Sequence, residues 1–118
     1  MRGFTLVEML VAIAIVAVAL LAGLRAVGAM AQTNAELELR LLAQVAAENR
    51  IAEMRAAHVF PAVGTRTLAC PQGRVAFECV EETKATPNPF FRRIEVRVYT
   101  VADRERMLAE LIGILPRN

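Results

Sequence analysis

Glu8 is the only acid between Met1 and Arg25, set in the run MRGFTLVEMLVAIAIVAVALLAGLR. A carboxylate inside a low-dielectric segment costs on the order of 2.5 to 3.5 kcal/mol by insertion scales, so its chemistry is pairing with a cation, unless it lies close enough to the headgroups to stay hydrated. Cys70 and Cys79 are the two cysteines, separated by eight residues that include Pro71-Gln72-Gly73. Oxidation would close that loop and contribute roughly 2 to 3 kcal/mol, provided this part lies outside the cytoplasm; two free buried thiols are the alternative. His58, the one histidine, has no second ligand type clustered around it and reads as a surface or capping residue near a helix end. Two cysteines and a distant histidine do not complete a zinc tetrahedron, so neither a metal nor a cofactor is expected. The sequence has no serine, no glycine-rich phosphate loop and no histidine with an evident carboxylate partner, and the chain is not expected to be an enzyme. A net charge of +2 over 118 residues is too small to suggest a nucleic-acid partner.

Three elements must carry these residues. Met9 to Leu24 is sixteen residues without a charge, and Phe4 to Leu24 is interrupted only by Thr5 and Glu8. As a helix that run is roughly 30 Å, one bilayer core. A cleaved secretory signal, a plain anchor and a leader cut on the cytoplasmic side all fit it, the first with Ala29-Met30-Ala31 before Gln32 as a small-x-small cleavage site. From Arg25 the chain continues with strong helix formers and no proline before Pro61. Leu37, Leu41 and Val45 are spaced by four and Ile51 and Met54 by three, while Glu36 and Arg40 form an i, i+4 pair on a wetter face. One helix from about Phe4 to Ala57 follows, about 80 Å long at 1.5 Å per residue, too long for a domain of this size to bury throughout. Its first half must lie in lipid or among other subunits. The apolar stripe reads chiefly as the domain's own core contact, and otherwise as a face for a partner helix.

Past Phe60-Pro61 the period changes from 3.6 to 2, punctuated by Gly64, Pro71, Gly73, Pro87 and Pro89. In RRIEVRVYTV, residues Ile94, Val96, Val98 and Thr100 share one face and Arg93, Glu95, Arg97 and Tyr99 the other, a half-buried strand. A preceding strand is expected around Arg74 to Thr83 and a following one from Met107 to Leu115, with Asp103-Arg104-Glu105 as a polar turn. Short connections favour antiparallel pairing. The expected fold class is α+β, a long N-terminal helix packed against a small antiparallel sheet. Its expected parts are 1–3 (leader), 4–24 (membrane and assembly helix), 25–57 (amphipathic continuation) and 58–118 (sheet domain).

Gly3-Phe4-Thr5-Leu6-Val7-Glu8, followed directly by the apolar run, resembles the class III signal of type IV pilins and type II secretion pseudopilins. The resemblance implies that a prepilin peptidase cuts after Gly3 and N-methylates Phe4. It implies also that Glu8 pairs with the positively charged N-terminus of a neighbouring subunit during assembly. The leader Met1-Arg2-Gly3 is shorter than many in that family.

Ala47-Glu48-Asn49-Arg50-Ile51-Ala52-Glu53-Met54 is similar to the helix end of the minor pseudopilin I family, as is Ala85-Thr86-Pro87-Asn88-Pro89 leading into Arg92 to Tyr99. The cysteine pair falls mainly in the variable stretch and is not carried over. That resemblance implies a hetero-oligomer with J-type and K-type minor pseudopilins, with H-type as a further candidate, beside the major pseudopilin. It implies a single-pass inner-membrane subunit of a bacterium, with its N-terminus cytoplasmic and its C-terminal domain periplasmic. The rival readings are a minor pilin of a type IV pilus and a cargo-binding module, the latter needing no signature residues and open to test by alanine substitution of Arg92, Arg93 and Arg97.

Overall fold

The computed structural model describes residues 3–117, so Met1 and Arg2 of the expected leader lie outside the described residues. One helix, α1 (Leu6–Ala56), is followed by four strands: β1 (Gly64–Ala69), β2 (Phe77–Ala85), β3 (Phe91–Thr100) and β4 (Ala109–Pro116). The layout is α+β, as the change of period predicts. The chain divides into two compact units, one reaching to Leu37 and one beginning at Glu38.

In the first unit the described residues are helix from Leu6 onward, after Gly3–Thr5. By length and composition this helix can cross a membrane, and its leucine, valine and isoleucine side chains from Leu6 to Val27 are all exposed. Its start is fixed by two reciprocal bonds. The Glu8 backbone N–H donates to Thr5 Oγ1 at 3.2 Å, and the Thr5 N–H donates to Glu8 Oε2 at 3.0 Å. Thr5 and Glu8 therefore form a capping box, which satisfies two backbone donors that the first helical turn leaves without partners.

The second unit has an antiparallel meander, ordered β1-β2-β3-β4. Its connections are local. In the β2–β3 turn Thr86 Oγ1 donates to the carbonyls of Asn88 and Phe91, and the Phe90 N–H donates to Asn88 Oδ1. In the β3–β4 loop the Glu105 N–H donates to Asp103 Oδ1, so the expected polar turn is present. Register places Arg66, Glu81, Val96 and Leu111 across one row of the inner face.

Between that face and the last turns of α1 lies the core, whose largest fully buried side chains are Phe77, Ile94, Leu115, Val96 and Val98. Alanines allow the close approach: Ala43, Ala46 and Ala47 are buried on the helix side. Opposite them Gly113 has no side chain, and a Cβ built there would sit 3.1 Å from Ile51 Cδ1.

α1 ends through backbone geometry rather than through glycine. The Val59 N–H donates to the Met54 carbonyl at 2.9 Å and the His58 N–H to the Arg55 carbonyl at 3.2 Å, a Schellman closure. His58 takes the left-handed position at φ 52°, where glycine is the unstrained choice. The capping role read from its place in the sequence is thus literal.

β1 is an element the sequence pattern does not announce. Threonine and arginine alternate there without a buried side, and five of its six residues are exposed. It forms because β2 offers six partners in register, from Thr83 to Glu78.

Candidate assembly site

The eight residues from Ala47 to Met54 fasten the helix to the sheet. Ala47, Ile51 and Met54 are buried, as the 3.6-residue period requires of positions spaced by three and four. Asn49 Nδ2 donates to Gln72 Oε1 at 2.9 Å, tying the helix to the β1–β2 connection. Arg50 donates through Nε to Glu81 Oε1 at 2.6 Å and through its terminal nitrogen to Glu53 Oε2 at 2.7 Å. Glu81 is 3% exposed and takes a second guanidinium, that of Arg66, at 2.8 Å. The hydrogen bond to Glu81 raises the Arg50 pKa; burial opposes this, and the charges of Glu81 and Glu53 add to it. An acid in phase with Phe77, Cys79 and Thr83 on the inner face is the sequence signal for this lock, once Arg50 is placed opposite it.

The expected partner stripe divides. The reading as core contact holds for Ile51 and Met54, which the chain's own sheet covers, and fails for Leu37, Leu41 and Val45, which stay exposed. At 100° per residue these three point roughly 140° away from the mean direction of the buried helix positions, so no single face holds all five. What remains free is a short ladder of three aliphatic side chains.

Cys70 and Cys79 are joined by a disulfide, with their Cα atoms 5.8 Å apart. The Cys70 N–H donates to the Phe77 carbonyl at 3.0 Å, and Gln72 and Val75 bridge the loop between them.

On the outer face of the sheet the register sets Glu82 opposite Glu95 and Lys84 opposite Arg93, two like-charged pairs. Ion pairs along and across the strands compensate. Arg97 reaches Glu82 at 2.7 Å and Glu95 at 3.0 Å, Lys84 reaches Glu95 at 3.4 Å, and Arg93 reaches it at 3.2 Å. Burial pushes the Glu95 carboxyl up, but the Lys84 hydrogen bond and the charges of Lys84, Arg93 and Arg97 outweigh it, so the pKa lies below the ordinary value. The hydrogen bond to Glu82 raises the Arg97 pKa against the opposing effect of burial. Glu95, expected on the wet face, is nevertheless buried, because these cations cover it. Of the three arginines considered for cargo, Arg97 is committed to this lattice and Arg92 stacks over the Phe60 ring at 4.5 Å.

At the other end of the chain Gly3 and Phe4 are exposed and precede the helix, while Glu8 is engaged with Thr5. The sequence signal for this engagement is the T-x-x-E spacing ahead of an apolar run. Among the described residues no group of three or more His, Cys, Asp or Glu is placed to hold a metal.

Residues 37–116 match the family described as Type II secretion system (T2SS), protein I. Residues 1–24 match the prokaryotic N-terminal methylation motif. No curated protein matches the chain.

Proposed function

We propose, from the premise that this chain belongs to the family of type II secretion system protein I, that it works in the tip complex of the pseudopilus with other minor pseudopilins, where it primes filament assembly and supports export of folded proteins across the outer membrane. The family is that of a pseudopilin subunit, and the methylation motif and apolar helix fit a single-pass inner-membrane protein. J-type and K-type subunits are the proposed partners, with the H-type and the major pseudopilin as further ones. The observation that carries the reading is the uncovered helix: the apolar side chains up to Val27 and the ladder Leu37, Leu41 and Val45 have no cover within the chain. Such a surface is stable only in lipid or against other helices.

In this reading Gly3 precedes the scissile bond and Phe4 becomes the methylated N-terminus. Glu8 then meets the amine of a neighbouring subunit, since a carboxylate in a low-dielectric segment is stable when neutralised. The N-terminus faces the cytoplasm and the sheet domain the periplasm, an orientation supported by the Cys70–Cys79 disulfide, which belongs to an oxidising compartment. Mass spectrometry of the membrane-extracted protein tests the processing: the expected chain begins at methylated Phe4, and a chain beginning at Gln32 or retaining Met1 refutes it. Glu8→Leu should leave insertion and cleavage intact and impair assembly with the other pseudopilins. Normal secretion by that variant overturns the pairing.

A further inference from the structure

We propose that the C-terminal end of α1 carries a docking site for an acidic segment with an apolar anchor on another pseudopilin, held by Arg92 and Arg117 around Phe60 and by Arg55 on the wall of the neighbouring cavity. The proposal deepens, and rests on, the reading of a complex among minor pseudopilins. Most strong charges of the sheet are already matched inside the chain: Glu81 takes Arg50 and Arg66, Glu95 takes Lys84, Arg93 and Arg97, and Glu78 takes Arg104. Arg55, Arg92 and Arg117 differ, for no carboxylate among the described residues pairs with any of them.

Two of them gather on one ring. The Arg92 guanidinium lies 4.5 Å from the Phe60 centroid and that of Arg117 lies 5.9 Å from it. Both guanidinium carbons thus lie within cation–π range of one ring, which brings two positive charges together. Arg92 Nε is buried and has no hydrogen-bond acceptor among the described residues. Native folds seldom leave such a donor unmatched.

Beside this group Met54, Arg55, His58, Val59, Leu115 and Pro116 line a cavity of about 290 Å³. It lies at the lower edge of the range of roughly 300 to 1,000 Å³ typical of small-molecule pockets, room for one anchoring side chain. His58, held at φ 52°, keeps an imidazole at its rim. A free phosphate would satisfy the arginines and leave the apolar walls uncovered, and a lipid acyl chain is too long for the space. A segment that sets Asp or Glu beside an aliphatic or aromatic residue satisfies both.

The test uses the full chain in cells that make the other pseudopilins of its secretion system. A photo-crosslinking residue at Val59 reads the proposed site, and one at Leu41 reads the free helix ladder. The expected Val59 adduct is with another pseudopilin, through a peptide carrying Asp or Glu within a few residues. Arg92→Glu with Arg117→Glu should lower that adduct about 10-fold or more, while the paired lysine variants should stay within about 3-fold of the parent chain. Reversing the partner's carboxylates should restore it. Where the double reversal also removes the Leu41 adduct, Arg117→Glu alone decides, with an expected loss of about 5-fold. An adduct with phospholipid, an adduct on a peptide without acids, or one indifferent to charge reversal overturns the proposal. A Leu41 adduct without any Val59 adduct also overturns it and leaves the tip complex standing, whereas absence of both overturns the complex as well.

Discussion

Truncating Glu81 should be among the most damaging single changes to the sheet domain. Its carboxylate is 3% exposed and holds Arg50 at 2.6 Å and Arg66 at 2.8 Å. Two unit charges about 4 Å apart attract by about 4 kcal/mol at an effective dielectric of about 20, and desolvation of the acid offsets part of this. Removing one partner of a buried pair leaves the other charge uncompensated, which costs 3 to 5 kcal/mol on the order of such measurements. Arg50 keeps 18% exposure and a second partner in Glu53, so the low end applies and Glu81→Ala should cost about 3 kcal/mol. For a domain of this size that lowers Tm by about 12 to 24 °C. The measurement is a double-mutant cycle on a Glu38–Asn118 fragment, followed by circular dichroism in urea; every residue of the buried core lies between Ala43 and Leu115. The coupling of Glu81 to Arg50 should be about 2 kcal/mol, and that to Arg66, whose side chain is 62% exposed, about 0.5 kcal/mol. A coupling to Arg66 as large as that to Arg50 would refute the view that the helix pair is the lock and the strand pair a surface accessory.

Gly113→Val places a branched side chain where a Cβ alone meets Ile51 at 3.1 Å; a loss of about 2 kcal/mol is expected, partly recovered by Ile51→Val, and thermal melts of the single and double variants check it. Because the Glu95 pKa is lowered in the folded chain, its contribution is present above the unfolded glutamate value of about 4.3 and is lost as pH falls through the folded value. An acid titration of stability should therefore decline less steeply in Glu95→Gln below about pH 4 than in the parent chain, and equal slopes would exclude that linkage. Reducing the disulfide reopens a loop whose ends are nine positions apart, and the denaturation midpoint should fall by an equivalent of about 2 to 3 kcal/mol.

Much of this architecture is legible in the residues because it depends on local period. The alternation around Ile94, Val96 and Val98 names an inner face, and those three are buried as it requires. The stretch from Ala47 to Met54 is readable for the same reason, its buried positions spaced to meet one surface. The rest depends on partners distant in sequence. Glu95 belongs to the outer face by phase, yet Lys84 from the facing strand joins Arg93 and Arg97 of its own strand in sealing it. β1 has no hydrophobic signature because an edge strand exposed on both faces needs none, and only the register with β2 defines it. Ile51 and Met54 continue the spacing of Leu37, Leu41 and Val45 only approximately, and the accumulated rotation carries them to the sheet. The bond between Thr5 and Glu8 was accessible to pattern reading as T-x-x-E, but the cost of an acid among apolar residues draws attention away from so short a contact.

That contact makes Glu8 a group with a prior engagement. In the single subunit its carboxylate already closes the first helical turn through the Thr5 N–H. One oxygen, Oε2, makes that bond, so the other remains for the proposed meeting with a neighbour's amine, which adds a partner to Glu8 rather than exchanging one. On the proposed assembly, cohesion of the filament would fall to the apolar helix surfaces, and Glu8, fixed by Thr5, would offer a carboxylate oxygen at one set height for a neighbour's amine to meet.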